Sequence, residues 1–294
     1  MNKFGIHYAF WGNQWDADLC ERVRFAAEAG FNVLEVTPPG YMIELDKNRM
    51  SELKKCAEDN NVELTFCIGF PREKDMSSPD ADVRAAGINY SKRMIEAVHH
   101  MGAEMLSGIL YSWWPYLYDI PITPTYKADC WKRGVESVRQ VIPMAAEAGI
   151  FYVVEMVNRF EQFIVNSTAE GKRFCQDVGH PNMQLLIDVF HANIEEENIA
   201  DAVRDAGGLL GHMHWSENNR RLPGTGRHMP WSEIAAALKE IDYQGRIVLE
   251  PFVATGGLVG HDLRIWRDLD TDVSFSARQE ALKKSLAFAK KLMT

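Results

Sequence analysis

Four short apolar runs in the second half of the chain each close on a residue able to bind a cation or move a proton. They are VVEM with Glu155, LLID with Asp188, GHMH with His214 and IVLEPF with Glu250. Three carboxylates and an imidazole make an oxygen-rich donor set with one nitrogen, which suits Mn²⁺, Mg²⁺ or Co²⁺ better than thiolate-preferring metals. Taken singly, each carboxylate also reads as a helix N-cap or a turn former. Four in succession are different: converging carboxylates repel and raise one another's pKa, so a metal or a shared proton is needed to make the cluster tolerable.

The elements that must position these residues recur along the chain as an amphipathic helix, a Gly or Asn stop and a short β-branched run. AAEAGFNVLEV (26–36) and AAEAGIFYVVE (145–155) are the clearest copies. Before Gly149, the helical spacing places Trp131, Val135, Val138, Ile142 and Ala145 on one face. The same reading gives strands near 4–9, 32–36, 62–68, 104–109, 151–155, 183–188, 209–214 and 245–250, each followed by a helical pattern. Near-continuous apolar strands alternating with helices imply parallel strands covered on the outside, and sequential right-handed crossovers can close eight of them. The expected fold is α/β, a single-domain (β/α)8 TIM barrel over residues 1–294. An open doubly wound sheet is the rival, weakened by the lack of a GxGxxG or P-loop signature after the first strand. In a barrel the active site lies at the carboxyl ends of the strands, where all four residues fall.

A chain of 294 residues, 46% hydrophobic, can bury one large core. Its 32 basic and 41 acidic residues leave a net charge of −9, which opposes nucleic acid and suits a small polar ligand. No apolar run has the length of a membrane span, and the N-terminus lacks the apolar core of a signal peptide, so a cytoplasmic protein with no membrane partner is expected. The five cysteines are scattered, without metal or redox spacing, and reduced thiols are expected. His212 faces the same way as His214 one layer deeper and reads as a packed or supporting histidine. Glu35 also closes a strand, far from the quartet in strand order, and its role is left open. Cys67, closing the third strand, reads as a packing residue. YSWWPYLY (111–118) is too aromatic for an ordinary exposed loop and reads as pocket wall, lid, subunit contact or buried cluster.

The segments VEMVNRFEQ (154–162), LLIDVFHANIEE (185–196), GHMHWSENNRRLPGTGR (211–227), IVLEPF (247–252) and GGLVGHDLRIWRDL (256–269) resemble the ketose 3-epimerases, the D-tagatose and D-psicose (D-allulose) 3-epimerase group of the xylose-isomerase-like barrels. The resemblance runs from the first strand to the last helix. It implies Glu155, Asp188, His214 and Glu250 as metal ligands, with Mn²⁺ the expected ion, and the two glutamates doubling as catalytic acid and base. It places Glu161, His191 and Arg220 around the sugar's reacting end and Trp15, Trp114 and Phe252 around its apolar face. It also implies a homodimer or homotetramer. Inverting a carbon beside a ketone needs a proton removed and another returned on the opposite face, through an enediolate stabilised by a cation. No organic cofactor is required. Glu161 and Arg220 read as orienters or, more plainly, as a surface ion pair or cap.

Several positions depart from the family pattern. His7 stands where Tyr or Phe is usual, Trp215 and Ser216 replace a smaller residue and Gly, and His228 has the look of an insertion. Trp215 is expected either to narrow the pocket or to face outward at a subunit contact. A related barrel sugar isomerase or dehydratase, of the hydroxypyruvate isomerase or inosose dehydratase type, and a non-catalytic sugar-binding barrel are the alternative functions. An endonuclease-type barrel would want more histidine ligands and a basic face.

Overall fold

The computed structural model describes residues 2–116 and 119–294. Its strands are β1 (Lys3–His7), β2 (Val33–Val36), β3 (Glu63–Phe70), β4 (Met105–Trp113), β5 (Phe151–Met156), β6 (Met183–Asp188), β7 (Leu210–Trp215) and β8 (Arg246–Leu249). They pair in chain order, all parallel, and β1 pairs with β8 (Lys3 opposite Arg246) to close the barrel. The α-helices are α1 (Leu19–Ala29), α2 (Gly40–Ile43), α3 (Lys47–Asp59), α4 (Ala81–Met101), α5 (Pro124–Arg139), α6 (Ile142–Glu147), α7 (Thr168–Val178), α8 (Val189–Glu195), α9 (Ile199–Ala206), α10 (Trp231–Glu240), α11 (Gly257–Asp262) and α12 (Phe275–Met293). Among the described residues, no helix is long and apolar enough to cross a membrane.

All eight strands expected from the sequence are present, so the open-sheet alternative is excluded. The differences lie at the ends. β1 stops at His7, whose Nδ1 accepts from the Ala9 N–H and starts a 3₁₀ turn over Tyr8–Trp11. β4 runs on to Trp113, all nine residues buried. The expected helix from Trp131 to Ala145 is two helices, because Pro143 fits the first turn of α6 but cannot continue α5. Its five apolar residues are all buried all the same.

Local signals explain the boundaries. Asp18, Asp80 and Ser167 accept backbone N–H groups at the starts of α1, α4 and α7. Gly30 after α1 and Gly149 before β5 both sit at positive φ (90° and 71°), the left-handed conformation that stops a helix and which a side chain would strain.

Alternate strand residues point inward. At the amino ends, Arg246 pairs with Glu63 and Glu104, and Lys3 with Glu63. Farther along, Cys67, Met105, Val153 and Leu186 form a small apolar cluster separate from the main core, which lies between strands and helices. The strands' carboxyl ends are left to polar residues. All five cysteines are free thiols.

Candidate active site

Glu155 points inward from β5, Asp188 ends β6, His214 lies on β7 and Glu250 follows the last residue of β8. Each is more than nine-tenths buried. The His214 Nδ1 atom lies 3.4 Å from Glu250 Oε1 and 3.8 Å from Glu155 Oε1. Asp188 also accepts the Phe190 N–H, so it caps the start of α8 while it joins this cluster. The donor atoms of Asp188, His214 and Glu250 all lie within 4.8 Å of one another, as do those of Glu155, Asp188 and His191. The four sequence-derived residues thus fall into two overlapping groups that share Asp188.

Arg220 is the cation of this cluster. Its Nη1 donates to Asp188 Oδ2 (2.6 Å) and Glu250 Oε2 (2.7 Å), and its guanidinium lies over the Phe190 ring at 3.9 Å. At 6% exposure it is no surface ion pair. His191 accepts the Asn158 backbone N–H at Nδ1 (3.2 Å). A backbone N–H and a guanidinium can only donate, and Arg220 Nη2 reaches Nε2 (3.2 Å), so a donor faces each ring nitrogen; Nε2 also faces Asp188 (3.5 Å) and Glu155 (3.8 Å). Glu161, also buried, accepts from Trp114 Nε1 (2.8 Å) and Asn158 Nδ2 (3.1 Å). Its carboxylate therefore orients an aromatic wall.

These side chains surround a cavity at the carboxyl end of the barrel. Glu155, Glu250, Glu161, His191 and Arg220 line it, together with Trp15, Trp114, Phe252 and His7. Trp15 Nε1 donates to Asp262 Oδ2 (2.7 Å), which ties the loop after β1 to α11. The aromatic segment divides: Trp114 lines the cavity, while Tyr111, Trp113 and Tyr116 are buried packing. Residues 117 and 118 of that segment lie outside the described residues. Cys67 packs as expected in the small internal cluster, and it also lines the cavity with Sγ 4.0 Å from Glu155 Oε2.

Burial drives the Glu155 carboxyl well above the usual range, against the pull of His214 and with the push of Glu250 and Asp188. Glu250 is equally buried, but His214 and Arg220 outweigh burial and hold it low. Burial also pushes His191 down to about 4, partly opposed by Asp188. The surroundings thus push the two carboxyls in opposite directions, Glu155 up and Glu250 down.

The residues fit a divalent cation. The buried His214 Nδ1 has no hydrogen-bond partner yet is aimed at two carboxylates, and the oxygen-rich set matches the hard-to-borderline metals. Such an ion would need the carboxylates that Arg220 engages.

Two expectations for the departures are corrected. Trp215 neither narrows the pocket nor faces outward: it is wholly buried against Trp231 (ring centroids 5.1 Å). The reason is strand alternation, since His214 points into the barrel and the next residue must point out toward α10. Ser216 is buried as well, and neither residue lines the cavity. His228 is exposed and pairs with Asn193 Oδ1 (2.8 Å), away from the cavity. His7 alone of the departures lines it, with its ring 5.2 Å from that of Phe252.

The sequence reading missed Asn158 and Asp262, which hold other side chains, and left Glu35 open. Glu35 Oε2 lies 2.8 Å from His212 Nε2 and accepts from Thr65 Oγ1 (3.0 Å), while Oε1 lies 2.5 Å from His214 Nε2. His212 is buried beside His214, in the supporting place expected of it.

Residues 23–292 match the family described as xylose isomerase-like TIM barrel. The chain is 40% identical over 98% of both sequences to a protein of Agrobacterium fabrum named D-psicose 3-epimerase. It is 38% identical to one of the same name from Ruminiclostridium cellulolyticum, over 98% of this chain and 97% of that one. A crystal structure described as D-psicose 3-epimerase in the presence of D-fructose superposes with a TM-score of 0.95 at 40% identity, covering 99% of each chain.

Proposed function

Because the chain belongs to the xylose isomerase-like TIM barrels and, within them, to the ketose 3-epimerases, which are isomerases, we propose that it inverts C3 of a free ketose by a metal-dependent, two-glutamate proton transfer. The relatives named D-psicose 3-epimerase support a substrate of the D-psicose, D-fructose and D-tagatose kind. The observation that carries the reading is the pair of buried carboxylates, Glu155 and Glu250, reaching one cavity from β5 and β8.

Glu155, Asp188, His214 and Glu250 would hold the cation, with Mn²⁺ the expected ion. When bound, it would stabilise the negative charge that develops on the ketose oxygens as the C3 proton leaves. One glutamate takes that proton, and the other returns one to the opposite face of the planar enediolate. Their roles exchange with the direction of reaction. Arg220 holds the Glu250 carboxylate in one orientation through its 2.7 Å bond. His191, held at Nδ1 by the Asn158 N–H and at Nε2 by Arg220 Nη2, lies beside the reacting end of the sugar. Trp15, Trp114 and Phe252 pack on the apolar C–H face of the sugar, with Glu161 fixing the indole of Trp114. No organic cofactor takes part. Phe160, Leu258 and Trp266 are large apolar residues left exposed, which supports self-association as a homodimer or homotetramer. The enzyme acts in the cytoplasm in this reading.

A screen of ketohexoses and ketopentoses with Mn²⁺ supplied tests the proposal. C3 epimers are the expected products. Aldoses, dehydration products or no turnover would overturn it in favour of an aldose–ketose isomerase, a dehydratase or a binding protein respectively.

A further inference from the structure

The mechanism uses one nitrogen of His214 and leaves the other unexplained. That second nitrogen, Nε2, lies 2.5 Å from Glu35 Oε1, with both side chains wholly buried. The remaining oxygen of Glu35 is engaged twice: it lies 2.8 Å from His212 Nε2 and accepts from Thr65 Oγ1 at 3.0 Å. Glu35 comes from β2, Thr65 from β3 and both histidines from β7, so the contacts tie together strands far apart in the sequence. Glu35 does not line the sugar cavity.

We propose that Glu35 is a positioning residue that holds His214 by Nε2, so that the Nδ1 lone pair faces the Glu155, Asp188 and Glu250 carboxylates as a ready metal donor. The inference rests on the metal site proposed above. An imidazole has two nitrogens, and only the one without hydrogen can bind a cation. The contact is electrostatic, both atoms lying outside hydrogen-bond geometry, and a carboxylate at that distance favours the hydrogen on Nε2 and limits rotation of the ring. The contacts of His212 and Thr65 with the other carboxylate oxygen stop Glu35 from rotating. Carboxylates placed behind a metal-bound histidine in this way commonly raise metal affinity by about 10–100-fold.

The test is Mn²⁺ titration of metal-free protein by calorimetry, with free Mn²⁺ counted by electron paramagnetic resonance. Glu35→Gln keeps the size of the side chain but weakens the acceptor. Its Mn²⁺ affinity is expected to fall by about 10–100-fold, with the sugar KM unchanged once the metal is saturating. Glu35→Asp, which keeps the carboxylate, is expected to recover part of the affinity. A folded Glu35→Gln protein that binds Mn²⁺ as tightly as the wild type overturns the inference. A wild-type protein that binds no Mn²⁺ overturns the metal site itself, which separates the two failures. Should Glu35→Gln not fold, the imidazole ¹⁵N spectrum of Mg²⁺-loaded wild type decides. Hydrogen on Nε2 of His214 supports the assignment, and hydrogen on Nδ1 overturns it.

Discussion

Replacing Arg220 by Met should destabilise the metal-free protein and yet strengthen its response to metal. In the wild type the guanidinium bonds Asp188 and Glu250 at 2.6 and 2.7 Å, and all three side chains are buried. Removing one partner of a buried ion pair strands the other charge and costs roughly 3–5 kcal/mol. For a domain of this size that lowers Tm by about 6–10 °C, at about 2 °C per kcal/mol. Met preserves the apolar bulk between Phe190 and Phe252, so lost packing contributes little. A divalent cation that shares Asp188 and Glu250 is repelled by the guanidinium, by about 4 kcal/mol per unit charge at ~4 Å and an effective dielectric near 20. Relief of only part of that repulsion adds measurable stability: a tenfold gain in affinity is worth about 1.4 kcal/mol, or ~3 °C, at saturating ion. The assay is thermal unfolding of both proteins after chelator dialysis and again with excess Mn²⁺. Arg220→Met should start lower and rise further than the wild type. Equal Tm losses in both states would refute the idea that Arg220 and the cation compete for the same carboxylates.

Trp215→Ala should cost about 3–5 kcal/mol of stability, the usual penalty for emptying a buried aromatic site, while the ranking of kcat/KM across a ketose panel stays as in the wild type; a changed ranking would place Trp215 in contact with the pocket. Glu161→Gln weakens the acceptor for Trp114 Nε1 without touching the acid–base pair. Its kinetics should therefore show altered ratios among ketoses with little loss of kcat on the best one, and a uniform loss of kcat would instead put Glu161 in the chemistry.

The fold was legible because a parallel barrel repeats one unit: a capped helix, a glycine stop and a buried strand. That unit stands out at 26–36 and again at 145–155. Strand ends were less legible, since the 3₁₀ turn after His7 starts on a bond from the Ala9 N–H to the His7 ring and β4 extends to Trp113 by pairing with Phe70 of β3. The quartet could be read because polar residues closing apolar strands are conspicuous. Glu35 could not be given a role, although it closes a strand too, because its partners come from β3 and β7 and only barrel closure brings them within reach. Asn158 and Asp262 lie in a loop and at a helix end, where carboxylates and amides are common and carry no signal of their own. Trp215 was readable in principle: if His214 faces the lumen, its neighbour on the strand cannot.

The most direct measurement of the central claim is deuterium incorporation at C3 during turnover in D₂O. In the two-glutamate route the proton delivered to C3 comes from a carboxyl that exchanges with solvent, so epimer recovered after many turnovers should carry deuterium at C3 and at no other carbon. Glu155→Gln and Glu250→Gln should each slow epimerisation by at least about 10²–10⁴-fold, roughly 3–5 kcal/mol of barrier, because either change removes an acid–base group. Proton NMR of the recovered ketose reads both results. Epimer without deuterium at C3, or near-normal epimerisation by Glu250→Gln, would contradict the account.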